Sequence, residues 1–175
     1  ADALVQPASA EEVIRLMAFV REEGVPLLVI GRGSNLLFSD GGFRGVVMKL
    51  GRRFSDYSLS GCEVRAQSGA WVPRLARAIA SGGLSGFEHA AGIPGSLGGL
   101  IVMNGGSLRR AVGENISSVD AVSTEGEFRR FERGECGFAY RRSVFQDGQK
   151  REGWIILGAV MNFDRSDRRA VRKCH

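Results

Sequence analysis

Three stretches of this sequence combine residue types that could grip an anion or a planar cofactor. The first is Gly31-Arg32-Gly33-Ser34-Asn35, directly after the apolar run Leu27-Leu28-Val29-Ile30. Glycine at a strand end permits positive φ, so successive backbone N–H groups can turn into a concave anion nest, to which Ser34 and Asn35 add side-chain donors. A diphosphate suits such a donor set. The pattern departs from the dinucleotide fingerprint, because Leu36 stands where G-x-G-x-x-G has its third glycine and Asp40-Gly41-Gly42 follows instead of a helix. No G-x-x-x-x-G-K-[ST] loop occurs, and a lone G-x-G is equally compatible with a plain structural turn.

The second stretch is Ala91-Gly92-Ile93-Pro94-Gly95-Ser96-Leu97-Gly98-Gly99, leading to Met103-Asn104-Gly105-Gly106. Ser96 can cap a short helix whose free N–H groups would face an anion, while the glycines let a planar ring lie against bare backbone. A glycine-rich chain crossing without a ligand is the alternative. The third stretch, Gly137-Phe138-Ala139-Tyr140-Arg141-Arg142-Ser143, could present a flat ring and a permanent cation to a carboxylate, although paired arginines are commonly a solvated surface. Glu88 and His89 form either an acid/base pair or a capping and packing pair. The two histidines, His89 and His175, have no partner at metal-ligand spacing, so no metal site is expected.

These loops need elements to hold them. Ala3 to Gln6 reads as a strand, Ser9-Ala10-Glu11-Glu12 as a capping box, and Val13, Met17 and Val20 as the buried face of the helix it opens. Leu27 to Ile30 is a buried strand, which completes a βαβ unit. Val46 to Lys49 and Glu63 to Ala66 read as further strands. A second helix is predicted from about Trp71 to Gly82-Gly83, with Pro73 in its first turn and Leu75 and Ile79 inside. Residues 86–106 carry seven glycines and little side chain for a core. Val119 to Ser123 and Phe128 to Phe131 flank a hairpin turn at Thr124-Glu125-Gly126, and Trp154 to Phe163 supplies a long closing strand. The basic tail from Arg165 to His175 reads as a connector or part of a helix.

With 175 residues, 43% of them hydrophobic and 25% charged, the chain has globular proportions. It lacks an apolar run of the roughly 20 residues that span a bilayer, and no signal peptide is visible, so a cytoplasmic protein without a membrane partner is expected. Cys62, Cys136 and Cys174 are odd in number and far apart, the mark of free thiols rather than a disulfide framework. The net charge of +5 is compatible with nucleotide ligands or nucleic acid. Aromatics are not interleaved with the basic clusters, which weighs against a nucleic-acid-binding module.

Taken in order, GRGSNLLFSDGGFRGVVMKL at 31–50, GLSGFEHAAGIPGSLGGLIVMNGG at 83–106 and GFAYRRSVF at 137–145 resemble the UDP-N-acetylenolpyruvoylglucosamine reductase (MurB) family across nearly the whole chain. The resemblance implies an α+β, two-lobed FAD-binding fold of the vanillyl-alcohol oxidase (PCMH) type. Residues 1–50 would form a small βαβ lobe, 51–164 a second α+β lobe, and 165–175 a connector to a missing substrate-binding domain. It implies that Gly31, Arg32, Gly33, Ser34, Asn35 and Leu36 take the pyrophosphate of FAD. Gly69 and Ala70 would form a small-residue turn near the cofactor, and Ala91, Gly92, Ile93, Pro94, Gly95, Ser96, Gly98, Gly99 and Asn104 would line the flavin and adenosine path. Arg141 matches the family's active-site arginine and Tyr140 would orient substrate.

The implied reaction moves a hydride from NADPH through FAD to a UDP-sugar enolpyruvate in peptidoglycan synthesis, with no nucleic-acid partner and a monomeric enzyme. Another FAD oxidoreductase of the same fold is the alternative, told apart by indifference to UDP ligands. Two departures stand out. The sequence ends at Cys174-His175 before the family's serine proton donor and late glutamate, so the chain is expected to bind FAD without completing the reduction alone. Gly105-Gly106-Ser107 replaces a small-aromatic pattern.

Overall fold

A computed structural model describes residues 1–147 and 153–165. Strand β1 (Ala3–Val5), helix α1 (Ala10–Glu22) and strand β2 (Leu27–Ile30) form the βαβ unit. Strand β3 (Val46–Lys49) inserts between the two strands, giving a parallel sheet of order β1-β3-β2. Ser9 caps α1, its Oγ accepting from Glu12 N at 3.2 Å, while Glu12 Oε2 accepts from Ala8 N, one residue before the N-cap, at 2.7 Å, a shifted form of the expected capping box. Adjacent parallel strands need a long crossover. Between β2 and β3 it is the loop 31–45, so the first glycine-rich motif is part of the link that builds this sheet. No helix follows the motif, in agreement with the sequence.

The second sheet is antiparallel, in the order β4 (Tyr57–Ser60), β5 (Glu63–Gln67), β9 (Trp154–Asn162), β7 (Ile116–Ser123), β8 (Phe128–Glu132). Strand β4 was not read from the sequence, since Tyr57-Ser58-Leu59-Ser60 is mostly exposed and lacks an apolar run. Strand β7 begins three residues before the expected Val119. Helices α2 (Val72–Ser81) and α3 (Leu97–Val102) pack on this sheet with Leu75, Ile79, Leu97 and Ile101 buried. Short strands β6 (Leu84–Ser85) and β10 (Asp164–Arg165) pair antiparallel. The connector expected over 165–175 lies outside the described residues beyond Arg165, as do Cys174 and His175.

Central strand β9 is buried on both sides. Asp120 pairs with Gly158 but Ala121 with Ile156, so Leu157 is the extra residue of a bulge that shifts the side-chain phase. As a result Ile155 and Leu157 meet α1 and β3, while Ile156, Ala159 and Met161 meet the α2 and α3 side. Val13, Met17, Met48, Leu50 and Phe54 join Val122, Ile155 and Leu157 in one apolar cluster, which fastens the small parallel sheet to the large one. Cys62 and Cys136 are free thiols, and burial, aided by Glu135 and Glu132, pushes the Cys136 thiol up to about 11.

Because this cluster draws on both sheets, they are expected to unfold together. Phe54→Ala should lower stability by about 3–5 kcal/mol and shift the whole urea transition to lower denaturant. Two separated transitions, or loss of only one of them in the variant, would show that the seam does not couple the sheets.

Candidate functional site

The ends of β2 and α3 face each other across a cleft of about 580 Å³, lined by Val29 to Leu36 on one side and by Ile93 to Ser96, Gly99, Leu100, Val102, Met103 and Gly105 on the other, with Arg141 at its edge. A second space of about 150 Å³ shares Val29, Ile30, Gly31, Ser96, Gly99 and Val102 with it and runs inward to Leu50, Ser68, Gly98, Phe145, Gln146 and Trp154 to Ile156. Together they make a long, mainly apolar slot with polar groups concentrated at one end, of the size range in which small molecules bind.

The polar end is the first glycine-rich loop. Among the described residues, the backbone N–H groups of Arg32, Gly33, Ser34 and Asn35 and the side chains of Ser34 and Asn35 have no protein partner. Gly33 has φ 76°, which turns the loop back on itself, and Leu36 N closes it on Gly33 O at 3.3 Å. Unpaired amides flanked by a hydroxyl and an amide are what a diphosphate requires. The Arg32 guanidinium lies 5.1 Å from the Trp71 ring, tying this loop to the start of α2.

The opposite wall is built differently from the sequence expectation. Ser96 does cap α3, accepting from Gly99 N at 3.4 Å. The helix amides are not free, however: Leu97 N donates to Ala70 O at 2.9 Å and Gly98 N to Ser68 O at 2.7 Å. The turn Ser68-Gly69-Ala70 therefore docks α3, which leaves Gly69 and Ala70 behind the wall rather than on it. Gly69 is required there because a Cβ would strike Phe54 O and Gly51 O. Gly98 is required because a Cβ would lie 2.8 Å from Ser68 Cβ. Where the two walls meet, a Cβ on Gly31 would run into Ser96 Oγ. Bare backbone at Gly31, Gly95 and Gly99 thus keeps side chains out of the meeting point of the two walls, as a flat, phosphate-bearing group such as FAD would require.

Of the residues singled out in the sequence, the structure gathers Gly31 to Leu36, Ile93 to Ser96, Gly98, Gly99 and Arg141 around this slot. Ala91, Gly92, Gly69, Ala70, Asn104 and Tyr140 do not line it. Asn104 is buried and bonded at both ends of its amide, its Oδ1 accepting from Gly113 N at 3.0 Å and its Nδ2 donating to Ala139 O at 2.8 Å. It anchors the turn Ala139-Tyr140-Arg141-Arg142, whose ends exchange two hydrogen bonds of 3.1 Å. In that turn Tyr140 is 93% exposed and Arg141 is left-handed at φ 53°. A non-glycine residue in this region costs about 1–2 kcal/mol. Gln146 Nε2 holds the Arg141 carbonyl at 2.6 Å, and Ser143 Oγ donates to Val102 O at 2.7 Å. Sequence reasoning missed Val29, Ser68, Val102, Gln146 and Trp154, which become neighbours only when the sheets close.

Glu88 and His89 do not form an acid/base pair. Glu88 Oε2 accepts from Gly86 N at 2.8 Å, and His89 is buried edge-on to Phe87 with both ring nitrogens lacking a hydrogen bond among the described residues. Burial, reinforced by Arg110, holds the His89 pKa below its ordinary value against the opposing pull of Glu114, Glu88 and the Gly86 backbone. Among the described residues, no group of three or more His, Cys, Asp or Glu side chains could hold a metal ion, and no helix is long and apolar enough to cross a membrane.

Comparison with known proteins agrees with this geometry. The model of a family described as "FAD binding domain" matches residues 1–132, and the chain belongs to that family. Its sequence relatives are UDP-N-acetylenolpyruvoylglucosamine reductases, the MurB group that its motifs resemble. The enzyme designated number 1 of Corynebacterium glutamicum is 45% identical over 144 residues, covering 82% of this chain and 43% of its own. The crystal structure of MurB from Thermus caldophilus superposes with a TM-score of 0.82 at 28% identity, covering 98% of this chain and 59% of that one. Alkyldihydroxyacetonephosphate synthase, at 23% identity and a TM-score of 0.68 over 93% of this chain and 31% of its own, shares the fold. The fold is thus the α+β PCMH type expected from the sequence. The chain spans about half the length of the curated relatives it matches.

Two outcomes follow from the packing. Gly31→Ala should cost about 1–3 kcal/mol by pushing on Ser96, whereas Ser96→Gly alone should cost a few tenths. The double variant should regain most of the loss in urea unfolding; additive losses would mean that the two loops do not touch as described. His89 has a depressed folded pKa, so its protonation disfavours the fold. Stability should be full above about pH 6.5 and fall as pH drops below it, and His89→Phe should flatten that acid limb. An unchanged limb would place the titrating group elsewhere.

Proposed function

We propose that this chain holds FAD for the reductive step that converts UDP-N-acetylglucosamine enolpyruvate to UDP-N-acetylmuramate in peptidoglycan precursor synthesis. The observation that carries this reading is that the free amides of 32–35 and the glycine-rich wall at 95–99 line one cleft, which Arg141 also lines. In this reading residues 1–50 and 51–164 are the two lobes, one for each wall of the slot. The chemistry FAD supplies when bound is relay of a hydride from NADPH to the enolpyruvyl double bond. The chain's own residues bind and orient. The amides of Arg32 to Asn35, with Ser34 and Asn35, take the pyrophosphate, and Gly95, Ser96 and Gly99 lie against the cofactor.

Arg141 is assigned to the substrate carboxylate. Hydride addition beside that carboxylate builds negative charge, and a fixed guanidinium stabilises the charge more in the transition state than in the ground state. The left-handed turn holds its backbone in place, and Tyr140, exposed beside it, is assigned to orienting the substrate. The relatives' names support this reaction over that of another oxidoreductase of the same fold.

The test is the visible spectrum of the purified chain after FAD is added and the excess removed. Retained flavin absorbance with one FAD per chain is expected, identified as FAD after denaturation. In Gly33→Val a β-branched residue would be forced to positive φ, and affinity should fall by about tenfold or more. A wild-type chain that stays colourless with saturating FAD would overturn the reading.

A further inference from the structure

Trp71 touches both walls of the cleft. Its backbone forms a bridge with Ser96, and the next amide, Val72 N, donates to Gly95 O at 3.0 Å, so the residue is fixed to the glycine-rich wall. Its ring meets the guanidinium of Arg32, which comes from the opposite loop and lies 5.1 Å from the ring centroid. Trp71 is 37% exposed and Arg32 is exposed too, so the pair sits at the rim of the cleft, which Arg32 lines. Among the described residues the Arg32 side chain makes no ion pair and no hydrogen bond. Contact with a ring takes up no oxygen acceptor, so the planar fork of N–H donors stays available to a ligand. The surroundings favour an anion: no acidic side chain is found among the described residues that line this cleft, and its charged residues are Arg32 and Arg141.

We propose that Trp71 is a positioning residue for anion binding: its ring holds the Arg32 guanidinium at the rim of the cleft, where that guanidinium bonds a phosphate oxygen of the cofactor's diphosphate. This rests on the reading of 32–35 as the diphosphate site. An arginine side chain loose in solvent loses rotamer freedom when it takes a ligand, and one already resting on an indole loses less. The ring therefore raises affinity through Arg32, without touching the ligand itself. The cation also adds what the neutral amides lack, a charge–charge attraction that salt screens.

Arg32→Gln and Trp71→Leu, alone and together, separate this role from packing. With FAD as the probe and flavin fluorescence quenching as the readout, Arg32→Gln should raise the dissociation constant about tenfold in low salt. In salt of about 0.5 M the difference should shrink, because the charge is screened there. Trp71→Leu should raise the constant about three- to fivefold while Arg32 is present and leave it unchanged in the Arg32→Gln background. Trp71→Phe, which keeps a ring, should retain most of the affinity. Wild-type affinity in Arg32→Gln would overturn the proposal. So would an equal loss from Trp71→Leu in both backgrounds, the mark of a ring that only packs the wall. Arg32 is exposed, so Arg32→Gln decides the question even where Trp71→Leu disturbs the fold. A wild-type chain that takes up no FAD would instead bring down the reading of the cleft itself.

Discussion

No side chain fits between Gly31 and Ser96, and the two halves of the candidate site are held at that separation from both sides. On one side, β2 delivers Gly31 at the end of a parallel sheet whose next connection is the loop 31–45. On the other, Ser96 is fixed three ways: by its bridge to Trp71, by the bond from Val72 N to the neighbouring Gly95 O at 3.0 Å, and by α3, whose first amides bond the Ser68–Ala70 turn. The glycines at 31, 69 and 98 are therefore best understood as conditions for one close approach of backbone segments, with ligand contact a consequence.

That approach is maintained by β9. Its side chains alternate between two faces, with the bulge at Leu157 shifting the phase of that alternation, so the small parallel sheet and the α2 and α3 layer are packed against opposite faces of the same strand. Interiors packed to this density transmit small displacements rather than absorbing them. The arginine turn depends on the same framework through Asn104, Ser143 and Gln146, which fasten the backbone of 139–143 to α3 and to the loop after it. A residue held in a sparsely populated conformation persists only where its surroundings over-determine it, and such sites cluster at places of function. Arg141 meets that description.

Much of this was legible in the sequence because local chemistry and global placement agree. The Ser9 to Glu12 capping box, the α1 face of Val13, Met17 and Val20, the hairpin around Gly126 and the long β9 all follow from short-range rules. The motifs at 31–36 and 93–99 were legible as loops that could hold a ligand. What the sequence did not disclose depends on long-range pairing. Asn104 reads as a ligand-facing polar residue, yet its amide joins Gly113 to Ala139. The α3 N-terminus reads as a free anion site, yet its amides bond Ser68 and Ala70. Ser68 itself attracts no attention in the string QSGAW until the sheets close around it. Apart from Gly113, nine residues beyond Asn104, these partners lie dozens of residues away, where no periodicity points.

The most direct test of the two-walled slot is backbone amide hydrogen exchange of the chain with and without FAD. The account predicts that the amides of residues 32–35, unpaired in the free chain, become strongly protected when FAD is added, together with slower exchange across 95–99. FAD that is retained while the amides of 32–35 exchange at their free-chain rate would contradict it, because the cofactor would then be held somewhere other than between these two loops.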